Sequence, residues 1–205
     1  ATAIEQCKNP PKVWMNSSTA TIYRHAEDKA QTDEAGEIGT GFSVSIAKAW
    51  EEAFFEKEIA GVRKVAIRSA IVMGNDPDTV WTVLQKLAKR GLGGTMGSGK
   101  QMVSWISNLD FARAIDWIAE NEGATGTYNV SAPNPVTNKE LMQCVRTSVG
   151  RKCGLPATKL MLEIGAFIMR TETELILKSR WVLPTRLQKE GFNFEDPDLI
   201  EWSKQ

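Results

Sequence analysis

Residues 65–74 read VAIRSAIVMG. A nearly continuous apolar run is what a strand covered on both faces looks like, since neither side of it meets water. That constrains the chain to a parallel sheet with helices on either side. The surrounding segments suit this. Lys12–Met15 is an earlier strand, and Ser43–Ile59 has a helical pattern with Val44, Ala47, Trp50 and Phe54 on or near one face. Thr79–Arg90 is a helix stopped by Gly91. Asn108–Glu120 is a helix with Asp110 in its first turn as the expected cap, and TGTYNVS (125–131) is a short strand. Thr137 and Glu140 form a capping box. Leu141–Val149, Lys159–Arg170 and a last short segment are further helices. The alternation predicts an α/β fold with a helical part added late.

Lys and Arg number 25 and Asp and Glu number 25, so no basic face argues for nucleic acid or an anionic membrane. No run approaches the roughly 18 apolar residues of a membrane span. The N-terminal residues lack the basic and apolar regions of a signal peptide. Cys7, Cys144 and Cys153 have no metal-site spacing, and reduced thiols in a cytoplasmic protein are the expectation. Ala1–Cys7 reads as the tail of a helix already under way, so the chain is expected to begin mid-domain.

Residues 91–105, GLGGTMGSGKQMVSW, hold Gly94 and Gly99-Lys100 at phosphate-loop spacing. Such a loop lies between a buried strand and a helix and needs Ser or Thr after the Lys. Here a helix precedes it, a strand-like MVSWI comes after it, and Gln101 stands next to Lys100. The loop is therefore expected at the rim of another site, with Lys100 a candidate for an anionic substrate.

The better site candidate is NSSTATIY, residues 16–23. Hydroxyls at the C-terminal end of a parallel strand sit where α/β sheets bind ligands, and a hydroxyl there can donate to a substrate oxygen. His25 is the only histidine, so a metal site or histidine triad is not expected. Trp105 suits core packing and a pocket wall equally.

Several of these segments resemble one family. NSSTATIY is similar to the hydroxyl-bearing strand end of the extended short-chain dehydrogenase/reductases, the nucleotide-sugar epimerase type. WEEAF, RGLGGTMGSGKQMVSWISNLDFARAI, YNVSAPNPVTNKEL and VLPTRLQKEGFNF resemble its "epimerase family protein" subgroup along nearly all 205 residues. The resemblance implies a partial Rossmann-like, doubly wound parallel sheet over 1–132, with the first βαβ units and their glycine loop absent. A small, mostly helical substrate lobe then covers 133–205. It implies NADP or NAD as cofactor of the full-length protein, none bound by this chain alone, and a small-molecule substrate. Separately, the helical surface of Ser43–Ile59 is a candidate for pairing two copies as a homodimer.

Carried over residue by residue, Thr19 is the catalytic hydroxyl. Ser17 and Ser18 line the cofactor side, and Ser69, Ala70, Ile71 and Val72 lie near the nicotinamide. Lys100, Trp105 and Asn138 fall on the substrate side. The family's YxxxK pair is missing: with Glu51 aligned to the family's glutamate, Ser43 stands at the Tyr position and Ala47 at the Lys position. Lys48 is one residue off, about 100° round the helix, and Tyr23 is a candidate substitute acid. Two functions compete on this reading. One is an NAD(P)-dependent epimerase or oxidoreductase; the other is a dinucleotide-binding or regulatory protein with little or no turnover.

Overall fold

The computed structural model describes residues 1–157 and 178–205; the expected helix Lys159–Arg170 lies outside them. After a single helical turn, α1 (Thr2–Glu5), the chain enters β1 (Val13–Thr19). β2 (Arg63–Ser69) is the central strand of a parallel sheet, with β1 on one side and, on the other, the strand Gly126–Val130. β1 runs four residues further than Lys12–Met15, so the hydroxyls of residues 17–19 lie within the strand.

Successive side chains of a strand point to opposite faces, and the start of β2 uses this twice. Arg63 reaches one face and donates from Nη1 to the Ile118 and Ala124 carbonyls at 3.1 and 3.0 Å. Lys64 reaches the other, donating from Nζ to the Phe54 carbonyl at 2.6 Å and to that of Lys57. Each cation thus meets the free carbonyls where a helix ends, α2 (Phe42–Phe55) on one face and the helix Asn108–Glu120 on the other. Val65 and Ile67 pack against Ala114, Ile118 and Tyr128.

The apolar run 65–74 is not one strand. At Ala70 its amide bonds to the Val130 carbonyl at 3.0 Å, and the next amide, of Ile71, turns to Ser104 at 3.3 Å. The second half of the run, β3 (Ile71–Met73), has a new partner, the parallel strand Trp105–Ser107. Continuous hydrophobicity reports burial on both faces and carries no mark of a change of partner. Beyond it come α3 (Val80–Lys89), β4 (Met102–Val103), β5 (Trp105–Ser107), α4 (Asn108–Glu120), β6 (Gly126–Val130), β7 (Val136–Thr137) and α5 (Asn138–Ser148). β4 and β7 pair antiparallel. Two short helices, α6 (Thr185–Lys189) and α7 (Leu199–Trp202), close the chain.

A second core joins β3, β5, α3, α5 and α7. Trp202 packs edge-on to Trp81, ring centroids 5.0 Å apart, and near Trp105 at 5.9 Å. Residues on both sides of position 132 share this cluster. The α5 capping box is complete, with the Thr137 hydroxyl accepting from the Glu140 amide and the Glu140 carboxylate accepting from the Thr137 amide.

The cap of α4 is Ser107 and not Asp110: the Ser107 hydroxyl accepts from the Asp110 amide at 3.1 Å. Fully buried, Asp110 instead pairs with Arg113 at 2.7 Å and accepts the Glu195 and Asp196 amides at 3.0 and 2.8 Å. It ties the C-terminal segment to α4. His25 has a structural part too, its Nδ1 accepting the Ser179 amide at 2.8 Å. Among the described residues no helix is long and apolar enough to cross a membrane, and no group of His, Cys, Asp and Glu is placed to hold a metal ion.

Candidate active site

The parallel register brings the expected hydroxyls level. Thr19 of β1 lies opposite Ser69 of β2, and Ser69 opposite Val130 of β6. Thr19 ends its strand and caps the short 3-10 turn Ala20–Ile22 by accepting the Thr21 amide at 3.2 Å. Its Oγ1 lies 2.7 Å from the Thr21 Oγ1. If Thr21 donates in that pair, the Thr19 proton is free for a further acceptor. Both residues are half-buried, as are Ser69, Ala70, Ile71 and Val72, while Ser17 is exposed. The Ser69 hydroxyl donates to the Ala70 carbonyl at 2.8 Å.

Ser18 points away from this row into the protein. Its hydroxyl donates to Glu51 Oε1 at 2.5 Å, and the Glu51 carboxylate also accepts from Arg68 Nε and Nη2 at 2.9 and 2.6 Å. Arg68 Nη1 donates to the Tyr23 hydroxyl at 2.9 Å. That hydroxyl lies 2.8 Å from Asn129 Oδ1 and 3.2 Å from the Thr32 carbonyl, and its single proton serves one of them. Asn129 continues the chain through its amide to Asp33, which accepts from the Thr185 hydroxyl at 2.9 Å and the Arg186 amide at 3.1 Å.

This buried polar chain sets the titration of its members. Burial alone raises the Glu51 pKa, but the Arg68 and Ser18 hydrogen bonds outweigh it and hold the carboxyl below its usual range. Burial raises Tyr23 above the ordinary phenol, against the opposing pull of Arg68. Tyr23 is 1% exposed with its oxygen fully engaged, so the structure places this residue inside the network rather than beside an open cleft. Ala47, also 1% exposed, packs with Ala20, Ile22 and Val44, whereas Lys48 is exposed.

The substrate-side residues fall in different settings. Trp105 is fully buried, its Nε1 donating to the Asn134 carbonyl at 3.0 Å. Asn138 is buried too, and its Oδ1 accepts the Met96 amide at 2.9 Å, pinning the glycine-rich loop. Lys100 is exposed.

The loop's amides are spent on the protein itself. Gly94 and Gly97 donate to Leu155 and Ala157, both at 3.1 Å, and Gly99 donates to Met96 at 3.2 Å. A Cβ on Gly94 would stand 2.4 Å from the Leu155 backbone, and one on Gly154 would stand 2.4 Å from Gly93. The glycines permit backbone to lie on backbone, and the cradle of free amides that a phosphate needs is not formed.

The pairing of Arg68 with Glu51 is not legible from either segment alone. The available signal is a single Arg inside a buried apolar run, since such a charge needs a partner; nothing local says which.

Helices on both faces of a parallel sheet, hydroxyls at its C-terminal rim and a helical addition beyond resemble the extended short-chain dehydrogenase/reductase fold. A nucleoside-diphosphate sugar epimerase from Corynebacterium glutamicum shares the fold at TM-score 0.76 and 22% identity, over 97% of this chain and 38% of that one. The human epimerase family protein SDR39U1 (isoform 2), solved with NADPH, superposes at TM-score 0.89 and 25% identity, over 100% of this chain and 68% of that one.

The chain is similar to the epimerase family proteins along nearly all of its length. That of Mycobacterium leprae is 31% identical over 193 residues, 93% of this chain and 61% of the relative. YfhF of Bacillus subtilis is 31% identical over 196 residues, 96% and 63% respectively. The chain thus spans about three fifths of the length of these relatives. Residues 157–201 match a domain of unknown function, DUF1731.

Proposed function

We propose that these residues form the substrate-side part of an NAD(P)-dependent oxidoreductase of the nucleotide-sugar epimerase type. The observation that carries this is the half-buried Thr19 hydroxyl, held by Thr21 at the level rim of parallel strands where α/β sheets take ligands. The half-buried stretch from Ser69 to Val72 at the same rim fits one face of a nicotinamide ring, and the human relative, solved with NADPH, supports that cofactor class. When bound, a nicotinamide accepts or supplies hydride. The part of this chain is to orient: Thr19 donates its proton as a hydrogen bond to the substrate oxygen, and Ser69 to Val72 flank the ring.

Titrating NADPH and NADH calorimetrically into the full-length protein tests the reading. Micromolar binding of either supports it; absence of binding by both sinks it.

A second reading, a dinucleotide-binding protein without turnover, is favoured by Ala47 at the lysine position, buried and unable to carry charge. Cofactor binding without reduction of any carbonyl would support it. For assembly we propose a homodimer: Phe42, Ile46 and Trp50 line one side of α2, with Phe42 72% and Trp50 56% exposed. Sedimentation of Trp50→Glu against the unaltered protein decides this.

A further inference from the structure

Arg180 sits in a segment fixed on both sides. Its amide donates to the Met102 carbonyl at 2.8 Å, and its carbonyl accepts from the Ser104 amide and hydroxyl at 3.0 and 2.8 Å. Ser179 is held by His25 and by the Met102 amide. The Trp181 carbonyl accepts from the Gln31 amide at 2.7 Å, and the Val182 amide reaches the Ser104 hydroxyl at 2.8 Å. The side chain of Arg180 contrasts with this. Its Nε and Nη1 are buried and have no hydrogen-bond partner among the described residues.

A guanidinium cannot escape that situation by losing its proton. Burial pulls its pKa down, but from a starting point far above neutrality. Arg180 as a whole is half-buried, yet buried guanidinium nitrogens without a partner are costly, and native proteins keep them where something else completes them. The backbone bonds on both sides prevent the segment from moving to relieve it. The placement is informative: Arg180 pairs with Val103, and the next residue, Ser104, accepts the Ile71 amide just past the strand-end row. Lys100, exposed, is two residues ahead of Met102 on the same loop.

We infer that Arg180 anchors an oxyanion group of the substrate, a phosphate or a carboxylate, beside the Met102–Ser104 segment that follows the glycine-rich loop. Guanidinium groups match the oxygens of both anions. As a substrate subsite this rests on the proposed function above; as an anion site it stands on the geometry alone.

The test uses inorganic phosphate and malonate as probes, with thermal melting and calorimetry on the unaltered protein, Arg180→Met and Arg180→Lys. The expected result is binding of at least one probe, weakened tenfold or more in Arg180→Met and less in Arg180→Lys. In anion-free buffer Arg180→Met is expected to melt at or above the unaltered protein, because it removes an uncompensated cation of similar length. A response to phosphate alone assigns a phosphate group; a response to malonate alone assigns a carboxylate.

The inference is overturned if the unaltered protein binds neither probe, if Arg180→Met binds them equally well, or if it melts lower in anion-free buffer, which would reveal an internal partner. NADPH affinity separates the two proposals. Loss of it in Arg180→Met would give the anion to the cofactor and overturn the substrate subsite. No NADPH binding by the unaltered full-length protein, with the probe response intact, would sink the proposed function and leave the anion site standing.

Discussion

Glu51 of α2 and Arg68 of β2 form a two-bond fork, Nε and Nη2 donating to the two carboxylate oxygens at 2.9 and 2.6 Å, with both side chains nearly nine-tenths buried. Removing one partner strands the other charge. Glu51→Gln is expected to cost about 2–4 kcal/mol by urea unfolding, and the double variant Glu51→Gln, Arg68→Met less than the sum of the two singles. Additive losses would mean that the fork is not the stabilising unit.

The same carboxyl gives a pH signature. Its pKa is lower folded than unfolded, so its contribution is complete above the unfolded value and disappears as pH falls through the folded one. Stability is expected to drop on the acid side, below about pH 4, and the drop is expected to be shallower in Glu51→Gln. Superimposable acid profiles would count against this assignment.

Gly94→Ala is expected to lower the melting temperature clearly more than Gly150→Ala. At Gly94 a Cβ meets the Leu155 backbone at 2.4 Å; at Gly150 it meets open space and only a φ of +70° opposes it, a cost of roughly 1–2 kcal/mol. Equal shifts would show that the loop gives way easily.

Thr19→Ala is expected to reduce any carbonyl-reducing turnover about 100-fold or more while leaving cofactor affinity unchanged, with Thr19→Ser retaining most of it. Loss of cofactor affinity instead would make Thr19 a binding residue. Thr21→Val removes only the supporting hydroxyl and is expected to fall between the two.

Asp110→Ala is expected to release the 193–196 segment. Deuterium exchange at the Glu195 and Asp196 amides, both bound to this carboxylate, is the direct readout. Unchanged protection would mean that other contacts hold the segment.

What could be read from the sequence was what depends on near neighbours. The α5 cap needs only residues 137–140, and both of its hydrogen bonds are present. Failure of the phosphate loop was legible in Gln101 and in the order of helix and strand. The use of those glycines was not, because their partners, Gly154 and Leu155, lie some sixty residues on and match no motif. Ser18 and Thr19 look alike as letters, yet the pleat sends one to Glu51 and leaves the other at the rim. The break at Ala70 and the two Arg180 nitrogens without a partner among the described residues depend on pairings between distant segments, which composition and period do not encode.

The contacts of the 24–41 loop with the C-terminal segment have a kinetic consequence. His25 meets Ser179 across 154 residues, and Asp33 meets Thr185 across 152. Closing so long a loop comes late, after the local helices and the β1–β2 pairing have formed. During synthesis Tyr23 and Asn129 can find each other well before Asp33 receives its last two donors. The stretch that fastens the early loop is thus synthesised some 150 residues after it, and in refolding the Ser179 and Arg186 amides are expected to be among the last to gain protection.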